Sequence, residues 1–181
     1  MPFYTSRKKR SDAFLPKNLQ VSKLFLIFAP RLLVTMSMAR EEIVKKWLEI
    51  VEQDLQVAQL NHDNGYWLYA AFLCHQALEK SLKAYWVATQ ENDPPFTHSH
   101  TRLLSGLGLI EELTDEQLRF ISLIEPMYIE ARYPEQKVAA ARSLSKDGCL
   151  HIIETTKELT QWIEERLPET KPSTPSDATS K

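Results

Sequence analysis

Residues 69–84 read Tyr-Ala-Ala-Phe-Leu-Cys-His-Gln-Ala-Leu-Glu-Lys-Ser-Leu-Lys-Ala, and this stretch decides the fold. Its apolar residues occupy most sides of a helix, a pattern that is typical of a helix buried in a bundle. Each buried polar group needs a partner or water, so the polar residues of this helix need an explanation. Either one face of the helix is a polar site, or these side chains lie at a subunit contact: His75, Gln76, Glu79, Lys80 and Lys83.

Helical patterns continue on both sides of this stretch. An apolar stripe predicts a first helix from about Arg40 to His62, and Gly65 lies in the turn that ends it. The second helix is predicted over Tyr66–Thr89, with a line of small residues that lets a neighbouring helix approach closely. That line comprises Ala70, Cys74, Ala77, Ser81, Ala84 and Ala88.

The second half of the chain predicts shorter helices and one long one. A third helix follows Thr97–His100, a fourth starts at Thr114, and Pro126 interrupts it. The last helix is expected to start near Glu135 or Val138 and to end near Leu167, with a kink at Asp147–Gly148. No alternating strand pattern occurs. We therefore predict an all-α fold, an antiparallel up-down bundle of four main helices plus a short helix.

Composition sets the limits of the domain. The chain has 181 residues, 43% of them hydrophobic, and a net charge of -2, as expected of a cytoplasmic globular protein. We expect residues 39–167 to form the bundle and residues 168–181 a disordered tail. Residues 1–38 are expected to be a disordered extension, with Met36 or Met38 as the functional start, or a basic targeting arm. The apolar run Leu24–Ala29 is too short to span a membrane.

Several chemistries find no support in the sequence. With 4 glycines, the chain has no glycine-rich phosphate loop, and Cys74 and Cys149 are predicted to be buried thiols. His98 and His100 lie too close in sequence to share a helical face, and no further His or Cys cluster accompanies them. We expect neither a metal nor a cofactor.

The polar residues of the second helix remain as the candidate site. Gln76, Lys80 and Lys83 follow i, i+4, i+7 spacing and project along one side, while His75 and Glu79 form a neighbouring pair. Spacing alone leaves two interpretations open. The stripe is either a solvated face with an intrahelical Glu79–Lys83 ion pair, or a pair of ammonium groups that binds a phosphate or a partner's carboxylates.

Residues 75–84, His-Gln-Ala-Leu-Glu-Lys-Ser-Leu-Lys-Ala, resemble the signature helix of the HEPN domain, a nucleotide-binding helical bundle. Thr97-His98 followed by Leu103-Leu104 is similar to the segment before the family's third helix. Arg132-Tyr133-Pro134 resembles its loop near the last helix. The resemblance extends over about residues 40–167, and Trp47, Asp54-Leu55 and Ala58 also fit it. His100 departs from the pattern, since the family usually places an apolar residue there.

The resemblance implies a homodimer, and it implies a partner role beside a minimal nucleotidyltransferase, often in a toxin–antitoxin pair. Another branch of the family consists of metal-independent ribonucleases that use an Arg, four to six intervening residues and a His. Arg132 stands in place of that Arg, but the His positions hold Lys137, Val138 and Ala139. Lys146 and His151 have the right spacing, although Lys is a poorer phosphate clamp than Arg.

We therefore expect a protein that works by binding a nucleotide, an RNA or a partner, rather than an enzyme. The expected ligand contacts are Lys80, Lys83 and Arg132, with Gln76 and Glu79 orienting them. Two alternatives stay open: a ribonuclease acting through Lys146 and His151, and a dimeric interaction module without a ligand.

Overall fold

The computed structural model describes the backbone of residues 18–130 and 144–168 and the side chains of residues 38–129 and 144–168. These ranges contain helices and no strand, which confirms the all-α prediction. The chain divides into two compact units, Met1–Met38 and Ala39–Lys181. The helices are α1 (Asn18–Asp63), α2 (Trp67–Thr89), α3 (His100–Leu107), a 3₁₀ turn (Ile110–Glu112), α4 (Asp115–Ile124), α5 (Met127–Glu130) and α6 (Lys146–Glu164).

Helix α1 begins at Asn18, earlier than the predicted start near Arg40. The intervening residues include five Leu, two Met and two Ala, which are good helix formers, and the helix extends through Pro30 beyond the amphipathic part. Its end was predicted correctly. Gly65 adopts φ +79° after Asp63, a left-handed conformation that side chains other than Gly rarely adopt.

Helix α2 is the central element of the second unit, and its most extensive helix contact is with α6. Its small-residue line is fully buried at Ala70, Cys74, Ala77, Ser81 and Ala84 and half-buried at Ala88, as expected of a helix packed against its neighbours. The core continues through the other helices, and both cysteines are buried and free.

The short helices begin and end at the residues that their capping chemistry predicts. Ser99 caps α3 by accepting a hydrogen bond from the Arg102 amide, and Gly108 ends it at φ +72°. Thr114 caps α4 in a capping box with Gln117. Pro126 separates α4 from α5, as predicted.

Helix α6 begins at Lys146 and holds Asp147 and Gly148 in its first turn, so the predicted kink at Asp147–Gly148 is wrong and a helix start lies there instead. The reason is local, because the Ser145 hydroxyl accepts a hydrogen bond from the Gly148 amide at 3.0 Å and makes Ser145 the N-cap. The predicted starts at Glu135 and Val138 lie outside the described residues.

Candidate functional site

The carboxylate of Glu79 is the centre of a polar cluster on the side of α2. The side chain is buried, and its Oε1 accepts a hydrogen bond from Lys83 Nζ at 2.7 Å. Its Oε2 lies 2.9 Å from Nδ1 of His98, in the loop before α3. Burial raises the pKa of Glu79, but the hydrogen bonds from Lys83 and His98 outweigh that effect and leave the pKa lowered. Glu79 is therefore an anion that holds two nitrogen donors.

The imidazole of His98 is held on two sides although it is 40% exposed. Because an ionised Glu79 can only accept a hydrogen bond, Nδ1 of His98 carries a proton. Nε2 is the ring nitrogen that does not contact Glu79. The ring also stacks on Tyr128 of α5, with centroids 4.1 Å apart and planes inclined by 22°. A partly exposed histidine with both its tautomer and its ring plane fixed is suited to contact a ligand.

Two further histidines extend this cluster into the core. The ring of His75 lies 5.6 Å from that of Tyr128 and 4.2 Å from that of His100. His100 is fully buried, and its Nε2 lies 3.1 Å from the backbone oxygen of His75. Because that oxygen can only accept, Nε2 carries the proton of neutral His100. Burial lowers the pKa of His100 and keeps it neutral.

Lys80 belongs to a different set of contacts. Its ammonium lies 2.5 Å from Asp54 Oδ2 on α1 and 3.3 Å from Gln76 Oε1. The two lysines of α2 therefore point to different partners, Lys80 to α1 and Lys83 to Glu79. The i, i+4, i+7 spacing identifies one side of the helix but does not bring the two ammonium groups together.

The remaining candidate residues do not join the cluster. Arg132 lies outside the described residues. Lys146 and His151 are both exposed on α6. Five positions along a helix with 3.6 residues per turn place them about 140° apart around its axis. The two side chains of one chain therefore do not converge on a single phosphate group.

Two other kinds of site are absent from the described parts of the chain. No group of three or more His, Cys, Asp or Glu side chains there could hold a metal ion. None of the helices described is long and apolar enough to cross a membrane.

Sequence reasoning missed Tyr128 and the role of His98. The Thr97-His98 pair is marked in the sequence only by the family resemblance, and the contact of His98 with Glu79 joins residues 19 positions apart. Tyr128 follows Pro126, where the sequence indicates a helix break and gives no partner for the ring.

The structure thus defines a helical domain built around one central helix with a charged cluster on its side. A family model described as "HEPN domain" matches residues 44–166. The chain therefore belongs to the HEPN domain family, which confirms the resemblance found in the sequence.

Solved structures share the fold of this chain. The protein TT1696 from Thermus thermophilus is 25% identical, with a TM-score of 0.60, and the match covers 68% of this chain and 98% of that one. ST0689, described as an archaeal HEPN homologue, is 21% identical, with a TM-score of 0.53, and the match covers 69% of this chain and 98% of that one. No curated protein matches the chain.

Proposed function

We propose that this HEPN domain binds the phosphate of a nucleotide at the Glu79 cluster, with Lys83 and His98 as the donors. The observation that carries the proposal is that one buried carboxylate holds both nitrogen groups, at 2.7 and 2.9 Å. Lysine has three ammonium hydrogens, and Glu79 Oε1 takes one of them. The Lys83 side chain is 13% exposed, and its other two hydrogens would donate to the phosphate.

The donors of the cluster are groups that can carry charge. Glu79 and Lys83 form an ion pair, and an imidazolium donates from both ring nitrogens, so in that form Nε2 of His98 would donate to the phosphate. Charge-assisted hydrogen bonds of this kind are stronger than neutral ones. Arg132 is proposed as a further phosphate contact, on the family resemblance alone.

Calorimetric titration with AMP and with pyrophosphate tests this proposal. We expect Lys83→Ala and His98→Ala each to weaken binding at least tenfold, which is the effect of losing a charge-assisted hydrogen bond worth about 1.5–3 kcal/mol. Lys45→Ala is a matched control, since Lys45 is an exposed lysine of α1. If the folded wild-type protein binds neither probe, the proposal is overturned.

The two lysines of α2 can be separated in the same titration. Lys80 is held by Asp54 and Gln76, so Lys80→Ala is expected to reduce stability more than affinity. An affinity loss from Lys80→Ala equal to that from Lys83→Ala would place Lys80 in the ligand site instead.

A dimeric interaction module is the second candidate function, and one observation favours it. Ile43, Ile50 and Val57 are exposed on α1 at seven-residue intervals. Such a stripe suits a two-fold contact between two copies of the helix, with the Lys46–Glu42 pair beside it. A minimal nucleotidyltransferase remains the proposed partner of such a dimer.

The oligomeric state tests the module. We expect the wild-type protein to have the mass of a dimer by light scattering and Ile50→Glu to have that of a monomer. Gln56→Glu adds the same charge at an exposed position on another face of α1 and should leave the mass unchanged. A monomeric wild-type protein would contradict the homodimer.

A further inference from the structure

Phe96 is a fully exposed aromatic residue beside the Glu79 cluster. It is the central residue of a three-residue turn, in which the Thr97 amide donates to the Pro95 oxygen at 2.8 Å. Pro94 and Pro95 precede it and restrict the backbone on that side. The turn therefore directs the Phe96 side chain into solvent rather than into the core.

The exposed ring is the outer member of a row of rings that leads into the core. Its centroid lies 6.3 Å from that of His98, and the His98 ring stacks on Tyr128 at 4.1 Å. The row continues to His75 and His100. His98 is thus shared between the row and the Glu79 cluster, so an aromatic surface and the phosphate donors meet at one residue.

We propose that Phe96 stacks against the base of the nucleotide whose phosphate is bound by Lys83 and His98. This inference rests on the proposed function and adds the part of the ligand that the charged groups cannot recognise. Every base has an aromatic face, and a flat surface beside cationic donors is the usual combination in proteins that bind single nucleotides or single strands. A base also covers an apolar ring that otherwise faces water.

A pair of probes that differ only in the base tests the inference. AMP carries an adenine, whereas ribose 5-phosphate carries the same sugar and phosphate without it. We expect the wild-type protein to bind AMP more tightly than ribose 5-phosphate, and Phe96→Ala to weaken AMP binding about tenfold, as for the loss of one stacked base. Its affinity for ribose 5-phosphate should not change, and Phe96→Trp should keep the affinity for AMP.

Leu123→Ala provides the matched control, since Leu123 is an exposed apolar residue of α4 and should affect neither probe. Equal losses for AMP and ribose 5-phosphate in Phe96→Ala would overturn the stacking role, and so would unchanged AMP binding. The second result would leave phosphate binding intact without a stacked base. Failure of the wild-type protein to bind either probe would overturn the proposed function itself.

Discussion

Glu79 and His98 are joined by a contact of 2.9 Å between a buried carboxylate oxygen and a ring nitrogen of a partly exposed histidine. The same carboxylate is bound by Lys83 from the next turn of α2. The Glu79 charge thus stabilises the fold and orients the residues proposed to contact the ligand. Removing this charge should change the free energy of unfolding and the dependence of that free energy on pH.

Glu79→Gln is expected to lower the free energy of unfolding at pH 7 by about 3 kcal/mol, because it leaves the Lys83 ammonium half-buried without its counter-charge. The pKa of Glu79 is lowered from 4.5 by folding, so its contribution is present above pH 4.5 and is lost as the pH falls through the folded pKa. Urea denaturation at pH 7 and pH 3.5 should show the difference from wild type shrinking in acid.

The double variant Glu79→Gln/Lys83→Met is the control for that explanation. It removes the unpaired ammonium and should regain part of the lost stability. If the free energy of unfolding of Glu79→Gln differs from that of wild type by the same amount at pH 7 and pH 3.5, the carboxylate charge is not the cause of the loss.

The contact between Lys80 and Asp54 should be measurable as a coupling between α1 and α2. Lys80→Met and Asp54→Asn each leave a half-buried partner, and we expect each to cost about 1–3 kcal/mol of stability. The double variant should lose less than the sum of the two. Chemical denaturation of the four proteins gives the coupling energy, and additive losses would mean that the two charges do not interact.

His100 should make the protein less stable in mild acid. Its pKa is lowered by burial from 6.5, so the unfolded chain takes up the proton first, and stability falls as the pH falls below 6.5. His100→Leu should therefore reduce the loss of thermal stability between pH 7 and pH 5. His151→Leu, at an exposed position of α6, should leave that loss unchanged. An unaltered pH slope in His100→Leu would contradict the assignment.

Gly106→Ala is expected to destabilise the protein even though alanine favours helix. A Cβ at this position would lie 2.6 Å from the Trp86 ring, and the indole is held by its hydrogen bond to the Asn92 oxygen at 3.1 Å. The overpacking cost of about 1–3 kcal/mol exceeds the gain of about 1 kcal/mol in helix propensity. Thermal unfolding should show a lower midpoint.

A Trp86→Leu background tests the cause of that loss. There the same Gly106→Ala change no longer meets a ring, and we expect it to stabilise the protein relative to Trp86→Leu alone. Destabilisation in both backgrounds would point to the backbone instead of the indole.

The sequence predicted the parts of the fold that depend on local chemistry. The capping box at Thr114 and the turn at Gly65 follow from interactions within a few residues, and the small-residue line of α2 follows from the spacing of small residues along one helix. The role of Ser145 as an N-cap could have been predicted from local chemistry in the same way, but the apolar periodicity around it favoured a longer helix.

The partners of the site residues could not be predicted in this way. Helical spacing shows that Lys80 and Lys83 share a side of α2, and only the packing of α1 shows that Asp54 takes one of them. The stacking of His98 on Tyr128 likewise depends on where α5 lies. Helical spacing therefore identifies the face of α2 that carries a site. Which neighbouring residue pairs with each side chain on that face follows only from the tertiary packing.

The contacts of Arg40 fix how far α1 can slide along α2. Its guanidinium donates to the backbone oxygens of Val87 and Glu91 at 3.0 and 3.2 Å and also to that of Gln90, at the end of α2. Apolar contacts alone would permit α1 to shift by one turn along α2, whereas polar contacts at two positions along the helices would not. With the Lys80–Asp54 ion pair as the second polar contact, Arg40 sets a single axial register of α1 on α2, so Lys80 pairs with the same residue of α1 in every folded molecule.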